Sequence, residues 1–87
     1  MSGTKTYFIY ALLSGVDGRI YVGFTENIER RVKEHNTGKT KSTKGYRPWK
    51  LVYQEKVIGR QNARNREKYL KGGSGKEWLK SNIKKAP

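Results

Sequence analysis

Tyr7-Phe8-Ile9-Tyr10-Ala11-Leu12-Leu13 is apolar at odd and even positions alike, the pattern of a strand covered on both faces and hence placed mid-sheet. Ser14 to Gly18 interrupts it with a turn in which Asp17-Gly18 is a favoured hairpin dipeptide. Arg19-Ile20-Tyr21-Val22-Gly23-Phe24 then resumes a strand pattern that pairs antiparallel with the first. Thr25 or Asn27 can cap the following helix, with Glu26 and Glu29 in its first turn and Gly38 at its end. Ile28, Val32 and His35 share one face of that helix, and Arg31 lies beside them. Thr37 to Pro48 reads as a polar loop carrying Lys39, Lys41, Lys44 and Arg47, mobile until something anionic orders it.

Trp49 to Val57 is a third strand, with Trp49, Leu51 and Tyr53 alternating onto one face. Gln61 to Lys71 is helical and Gly72-Gly73 stops it. Ser74-Gly75-Lys76-Glu77 matches a capping box, opening a last helix with Trp78, Leu79, Asn82 and Ile83 on one side. The element order is β-β-α-β-α-α. At 87 residues nearly every large apolar side chain must serve one core, so a single domain over 1–87 is expected, its core at about 7–83 and a short basic tail at 84–87.

The absence of Cys and the single His exclude a disulfide scaffold and thiolate or paired-imidazole zinc sites. No apolar run has the length of a signal peptide or membrane helix, so the expected location is cytoplasmic, with no membrane partner. Charge changes the picture more. Twenty Lys and Arg oppose seven Asp and Glu, for a net charge of +13. The excess is local: residues 30–50 hold eight basic against one acidic residue and residues 60–87 nine against two, whereas residues 1–29 hold two against three. A surface of this sign binds polyanions by releasing counterions, and nucleic acid is the foremost cytosolic polyanion.

Gly72-Gly73-Ser74-Gly75-Lys76 is not a phosphate loop. Its spacing lacks the first Gly, Glu77 stands where a metal-binding Ser or Thr belongs, and a helix precedes it. Glu67 is harder to dismiss, because with Ala63 and Leu70 as the inward stripe it falls on the core side of a basic helix. Two readings stand: an ion pair with Arg64 or Lys71, or a hard-oxygen ligand for Mg²⁺. Tyr10 and Tyr21, on adjacent hairpin strands, have ten residues between them, and Gly23 inside the second strand suggests close approach of another backbone or a ligand.

Phe8-Ile9-Tyr10, then Tyr21-Val22-Gly23, resemble the paired motif of the GIY-YIG endonucleases, with Phe at the variable first position. Asn27-Ile28-Glu29-Arg30-Arg31 followed by His35-Asn36-Thr37-Gly38 is similar to the helix carrying that family's Arg and His. Arg64-Asn65-Arg66-Glu67 is similar to the segment carrying its metal-binding Glu. Thr40 to Gly45 and Trp49-Lys50-Leu51-Val52-Tyr53 fit the small single-domain branch. The resemblance runs from Tyr7 to about Asn82.

It implies an α/β (α+β) fold, a small three-stranded antiparallel sheet flanked by helices, and single-metal phosphodiester hydrolysis. Position by position, it implies Tyr21 as general base or water-positioning group, Tyr10 as its partner near the attacked phosphate, Arg31 as phosphate clamp and Glu67 as ligand to Mg²⁺, for which Mn²⁺ can substitute. His35 matches a position that is often catalytic, and Gly23 and Asn82 match supporting positions. A free Tyr has a pKa of about 10, so a tyrosine base needs positive charge nearby. Phe24 stands where some relatives carry a Lys, which shifts that burden to Arg31, Arg30 or the metal.

Arg30, Lys39, Lys41, Lys44, Arg47, Arg64 and Arg66 are the expected phosphate contacts. DNA is expected over RNA, cleaved with low sequence specificity, at branched or damaged sites, or with a protein partner that supplies specificity. The expected state is a monomer or weak dimer. The alternative is a non-catalytic nucleic-acid-binding module on the same fold. The inward Glu67 discriminates: binding a polyanion gains nothing from a carboxylate in the cleft, whereas metal-assisted hydrolysis requires one.

Overall fold

The computed structural model describes residues 5–85, with side-chain surroundings through Ile83. The elements follow the expected order: β1 (Thr6–Ser14), β2 (Ile20–Thr25), α1 (Ile28–Thr37), a one-turn 3-10 segment (Lys44–Tyr46), β3 (Trp49–Ile58), α2 (Arg60–Lys71) and α3 (Gly73–Lys85). The strands form one antiparallel sheet in the order β2-β1-β3, so the strand that is apolar on both faces is the central one.

Each face of β1 has its own core. Tyr7, Ile9 and Ala11 join Val22 of β2 against Ala63, Leu70 and Leu79 of α2 and α3. Tyr10 and Leu12 point the other way, packing with Trp49 and with Tyr21, Ile28 and Val32. Pleat alternation thus puts the hairpin's two motif tyrosines on the α1 side.

The α1 boundaries follow local chemistry. Asn27 caps its start by accepting the Arg30 N–H at 3.0 Å, and Gly38 ends it at φ +86°, a left-handed conformation that favours glycine. α2 and α3 join with almost no connection, because a Cβ on Gly75 would overlap the Tyr69 carbonyl and only glycine lets the helices meet there.

Four sequence expectations change. Tyr53 does not share a face with Trp49 and Leu51: Ala11 pairs with Tyr53 but Leu12 pairs with Leu51, so Val52 is an extra residue, and this bulge turns Tyr53 toward α2 and α3. Ser74 is not the N-cap of α3. The extended Gly72 takes that place, its carbonyl accepting the Lys76 N–H at 2.8 Å, which puts Ser74 inside the first turn. The expected tail is helical through Lys85; Ala86 and Pro87 lie outside the described residues, as do Met1 to Thr4.

The segment from Thr37 to Pro48 is wound upon itself rather than open. Thr40 O accepts the N–H groups of Thr43 and Lys44, Tyr46 N–H reaches Thr43 O, and the indole N–H of Trp49 donates to Thr43 O at 2.9 Å. Asn36 ties α1 to the start of β3, donating to Trp49 O at 3.0 Å and accepting from Trp49 N at 2.6 Å. The loop therefore has a buried internal anchor, with its cations on the outside.

Candidate active site

The α1 side of the sheet gathers Tyr10, Tyr21, Arg31 and His35. Register places Tyr10 opposite Gly23 and Leu12 opposite Tyr21, so the two tyrosines are diagonal neighbours on one face, their ring centroids 6.3 Å apart. A Cβ at Gly23 would lie 2.6 Å from the Tyr10 hydroxyl and 2.8 Å from its Cζ. The phenol is thus seated directly over the glycine backbone, so the group that approaches Gly23 is a side chain of the neighbouring strand rather than the backbone or ligand expected from the sequence.

His35 comes up from α1 against both tyrosines, at 4.9 Å from the Tyr21 ring and 5.9 Å from that of Tyr10. It is buried and bonded at both nitrogens: Nε2 to the Tyr10 hydroxyl at 3.1 Å, Nδ1 to Thr43 Oγ1 at 2.8 Å. The Thr43 hydroxyl donates onward to Thr40 O at 3.3 Å. That direction leaves Thr43 Oγ1 to accept from Nδ1–H, leaves Nε2 without a proton, and makes Tyr10 a donor to it. Burial, and then the positive charge of Arg31, hold the His35 pKa below its ordinary value, so the ring is neutral.

Tyr10 is only 1% exposed, and burial pushes its hydroxyl up to about 12, with Arg31 offsetting part of that rise. It is a protonated donor at neutral pH, sealed from solvent. Tyr21 is partly exposed, its ring walled by Trp49 at 6.2 Å. Arg31, partly buried on α1, donates to Glu34 Oε1 at 2.9 Å, and this contact raises its pKa further. One arm of the guanidinium is anchored while its charge acts on Tyr10.

From α2 the partly buried Glu67 meets Lys71 at 3.2 Å, and the same ammonium lies 5.7 Å from the centroid of the Tyr21 ring. Among the described residues no three His, Cys, Asp or Glu side chains cluster as a metal cage. Glu67 is a single hard-oxygen donor whose protein partner is a displaceable surface ammonium. That donor set suits Mg²⁺ or Mn²⁺ completed by water and phosphate oxygens, and does not suit zinc.

The other expected residues are dispersed. Arg30, Lys39, Lys41, Lys44 and Arg47 are exposed along α1 and the loop behind it, and Arg64 is exposed on α2. Arg66 lies on the opposite side of the sheet, its guanidinium bound to Glu55 at 2.8 and 3.2 Å and close to the Tyr69 and Trp78 rings. Asn82 is exposed on α3 and donates to the Trp78 carbonyl of its own helix. The sequence does not mark Thr43, and it offers Lys71 only as an ion-pair partner for Glu67, the pairing the structure shows. A Thr within a Gly/Ser/Thr loop carries no signal of burial, whereas the i,i+4 spacing of Glu67 and Lys71 was visible as a potential pair.

A family model described as the GIY-YIG catalytic domain matches residues 6–82. A UPF0213 protein of Bacillus licheniformis is 42% identical over 69 residues, 78% of this chain and 70% of its own. The solution NMR structure of the UPF0213 protein BH0048 from Bacillus halodurans superposes with a TM-score of 0.54 at 33% identity, covering 87% of this chain and 83% of that one. The human structure-specific endonuclease subunit SLX1 is 46% identical over 50 residues, 53% of this chain but 18% of SLX1.

Proposed function

The chain belongs to the GIY-YIG catalytic-domain family, and on that premise we propose that it is a divalent-metal-dependent endonuclease hydrolysing phosphodiester bonds in DNA. The observation that carries this reading is convergence: β1, β2, α1 and α2 each contribute to one place, with Tyr10, Tyr21, Arg31, His35 and Glu67 as the contributed groups.

Their exposures divide the work. Tyr21, reachable from solvent, orients the attacking water or takes its proton as the water oxygen bonds to phosphorus and the bond to the leaving oxygen breaks. Arg31 clamps the phosphate. Glu67 would hold Mg²⁺ or Mn²⁺, which when bound supplies charge neutralisation for the phosphate and the leaving alkoxide. Buried Tyr10 and neutral His35 act as positioning residues, fixing the wall against which Tyr21 and Arg31 are set. The cations of the outer loop contact phosphates without reading bases, so cleavage is directed by substrate structure or by a protein partner, in keeping with the SLX1 name, which calls that protein a subunit of a structure-specific endonuclease.

The test is cleavage of a branched DNA, a supercoiled plasmid and a structured RNA, with and without Mg²⁺ or Mn²⁺. Wild type should cut the branched DNA only with metal, Glu67→Gln should abolish cleavage while binding DNA as well or better, and Tyr21→Phe should lower the rate about a hundredfold or more with affinity intact. Binding without cleavage of any substrate would make the protein a nucleic-acid-binding module instead.

A further inference from the structure

Lys71 stands between two groups assigned above and has no part in that assignment. Its ammonium contacts Glu67 Oε2 at 3.2 Å and lies 5.7 Å from the Tyr21 ring centroid. One helical turn joins Lys71 to Glu67, so the backbone of α2 keeps them at contact spacing whatever fills the cleft. The two partners differ in freedom: the Glu67 side chain is 19% exposed and the Lys71 side chain 50%. The carboxylate is the fixed half and the lysine arm the movable half.

An ordinary helix-surface pair would explain the 3.2 Å contact alone, but it does not explain why the ammonium also approaches Tyr21. The nearby cation Arg66 is bound to Glu55 on the far side of the sheet, so it does not compete for Glu67. A half-exposed pair is weak enough to exchange. A dication and an ammonium cannot share one carboxylate at contact distance without strong repulsion.

We propose that Lys71 is a resident cation that holds the divalent-metal position of Glu67 until a metal displaces it, so that the empty site binds metal weakly. The proposal rests on Glu67 being the metal ligand. The consequence is that Glu67 is charge-balanced in the absence of metal, and that metal occupancy requires Lys71 to swing away toward Tyr21 and any phosphate bound beside it.

The experiment is a titration of the full chain with Mn²⁺ alone, reading free Mn²⁺ by electron paramagnetic resonance. Lys71→Met keeps an aliphatic arm and removes the charge, Lys71→Arg keeps the charge, and Glu67→Gln removes the ligand; thermal unfolding establishes that each variant is folded. Lys71→Met should bind Mn²⁺ about five- to tenfold more tightly than wild type, Lys71→Arg should stay near wild type, and Glu67→Gln should bind none. Equal affinities in Lys71→Met and wild type, with Glu67→Gln still abolishing binding, would overturn the role of Lys71 and leave the metal ligand standing. No Mn²⁺ binding in either wild type or Lys71→Met would overturn both.

Discussion

His35 Nδ1 lies 2.8 Å from Thr43 Oγ1, and this contact decides which nitrogen the ring turns toward Tyr10. Because the Thr43 hydroxyl is donated to Thr40 O, the imidazole is fixed with its proton on Nδ1 and its lone pair on Nε2. A loop threonine thereby sets the hydrogen-bond polarity of a buried tyrosine on a strand. Thr43→Val keeps the shape and removes the acceptor, leaving a buried N–H unpaired, at a cost of about 1–3 kcal/mol. The protein has one His, so its ring ¹⁵N resonances are unambiguous. Wild type should show a protonated Nδ1 and bare Nε2, and the variant should lose that preference; an unchanged ¹⁵N pattern would sink the tautomer assignment.

Acid should destabilise the fold through the same ring. Burial and Arg31 lower the His35 pKa in the folded state, so the unfolded chain binds the proton more readily. The stability gained by keeping His35 neutral is complete above its ordinary pKa of about 6.5 and is lost as pH falls from there toward the lowered folded value. An NMR titration of the ring should give a midpoint below the ordinary one, and the melting temperature should rise with pH through this window. A midpoint at or above the ordinary value would contradict the burial of the ring.

Gly23→Ala should damage the tyrosine seat. The added methyl would stand 2.6 Å from the Tyr10 hydroxyl, and a phenol that is 1% exposed cannot swing aside into solvent. Overpacking of this kind costs about 1–3 kcal/mol. Denaturant unfolding measures the loss, and the His35–Tyr10 bond should be weakened at the same time. A variant of wild-type stability would mean that the edge strand β2 yields enough to admit the methyl.

Basic residues should separate into binding and structural classes. Lys41 and Lys44 are exposed on the loop, so Lys41→Ala and Lys44→Ala should each weaken DNA binding similarly across sequences and reduce the steepness of its salt dependence, with no change in stability. Arg66→Ala should do the reverse, because its guanidinium bonds Glu55: stability should fall by about 1 kcal/mol while DNA affinity changes little. Comparison of melting temperatures with affinities at low and physiological salt distinguishes the two.

Much of this architecture is written in local pattern. Alternation and two-sided apolarity place β1 at the centre, Asn27 and Gly38 bound α1, and the spacing of Ala63 and Leu70 predicts the inward stripe of α2. These follow from residues close in sequence, whose geometry is set by the pleat and the helical turn whatever lies around them. The tyrosine pair was legible for the same reason, since a hairpin's register ties Tyr10 to Gly23 and Leu12 to Tyr21.

Other features arise from contacts between distant parts of the chain. The bulge at Val52 reverses the face of Tyr53, and the consecutive apolar residues Leu51, Val52 and Tyr53 do not by themselves say which of them lacks a partner on β1. Arg64 and Arg66 look equivalent in sequence, yet β3 supplies a carboxylate to one and leaves the other exposed. Thr43 is one of several small polar residues in its loop until α1 brings His35 against it, and Lys71 is only a helix-end partner for Glu67 until β2 brings Tyr21 beside it. Strands, helices and the paired tyrosines can be read from local sequence, because periodicity and capping act over a few residues. Which charges pair across the sheet, and which way a buried ring is protonated, depend on partners that folding brings together in space.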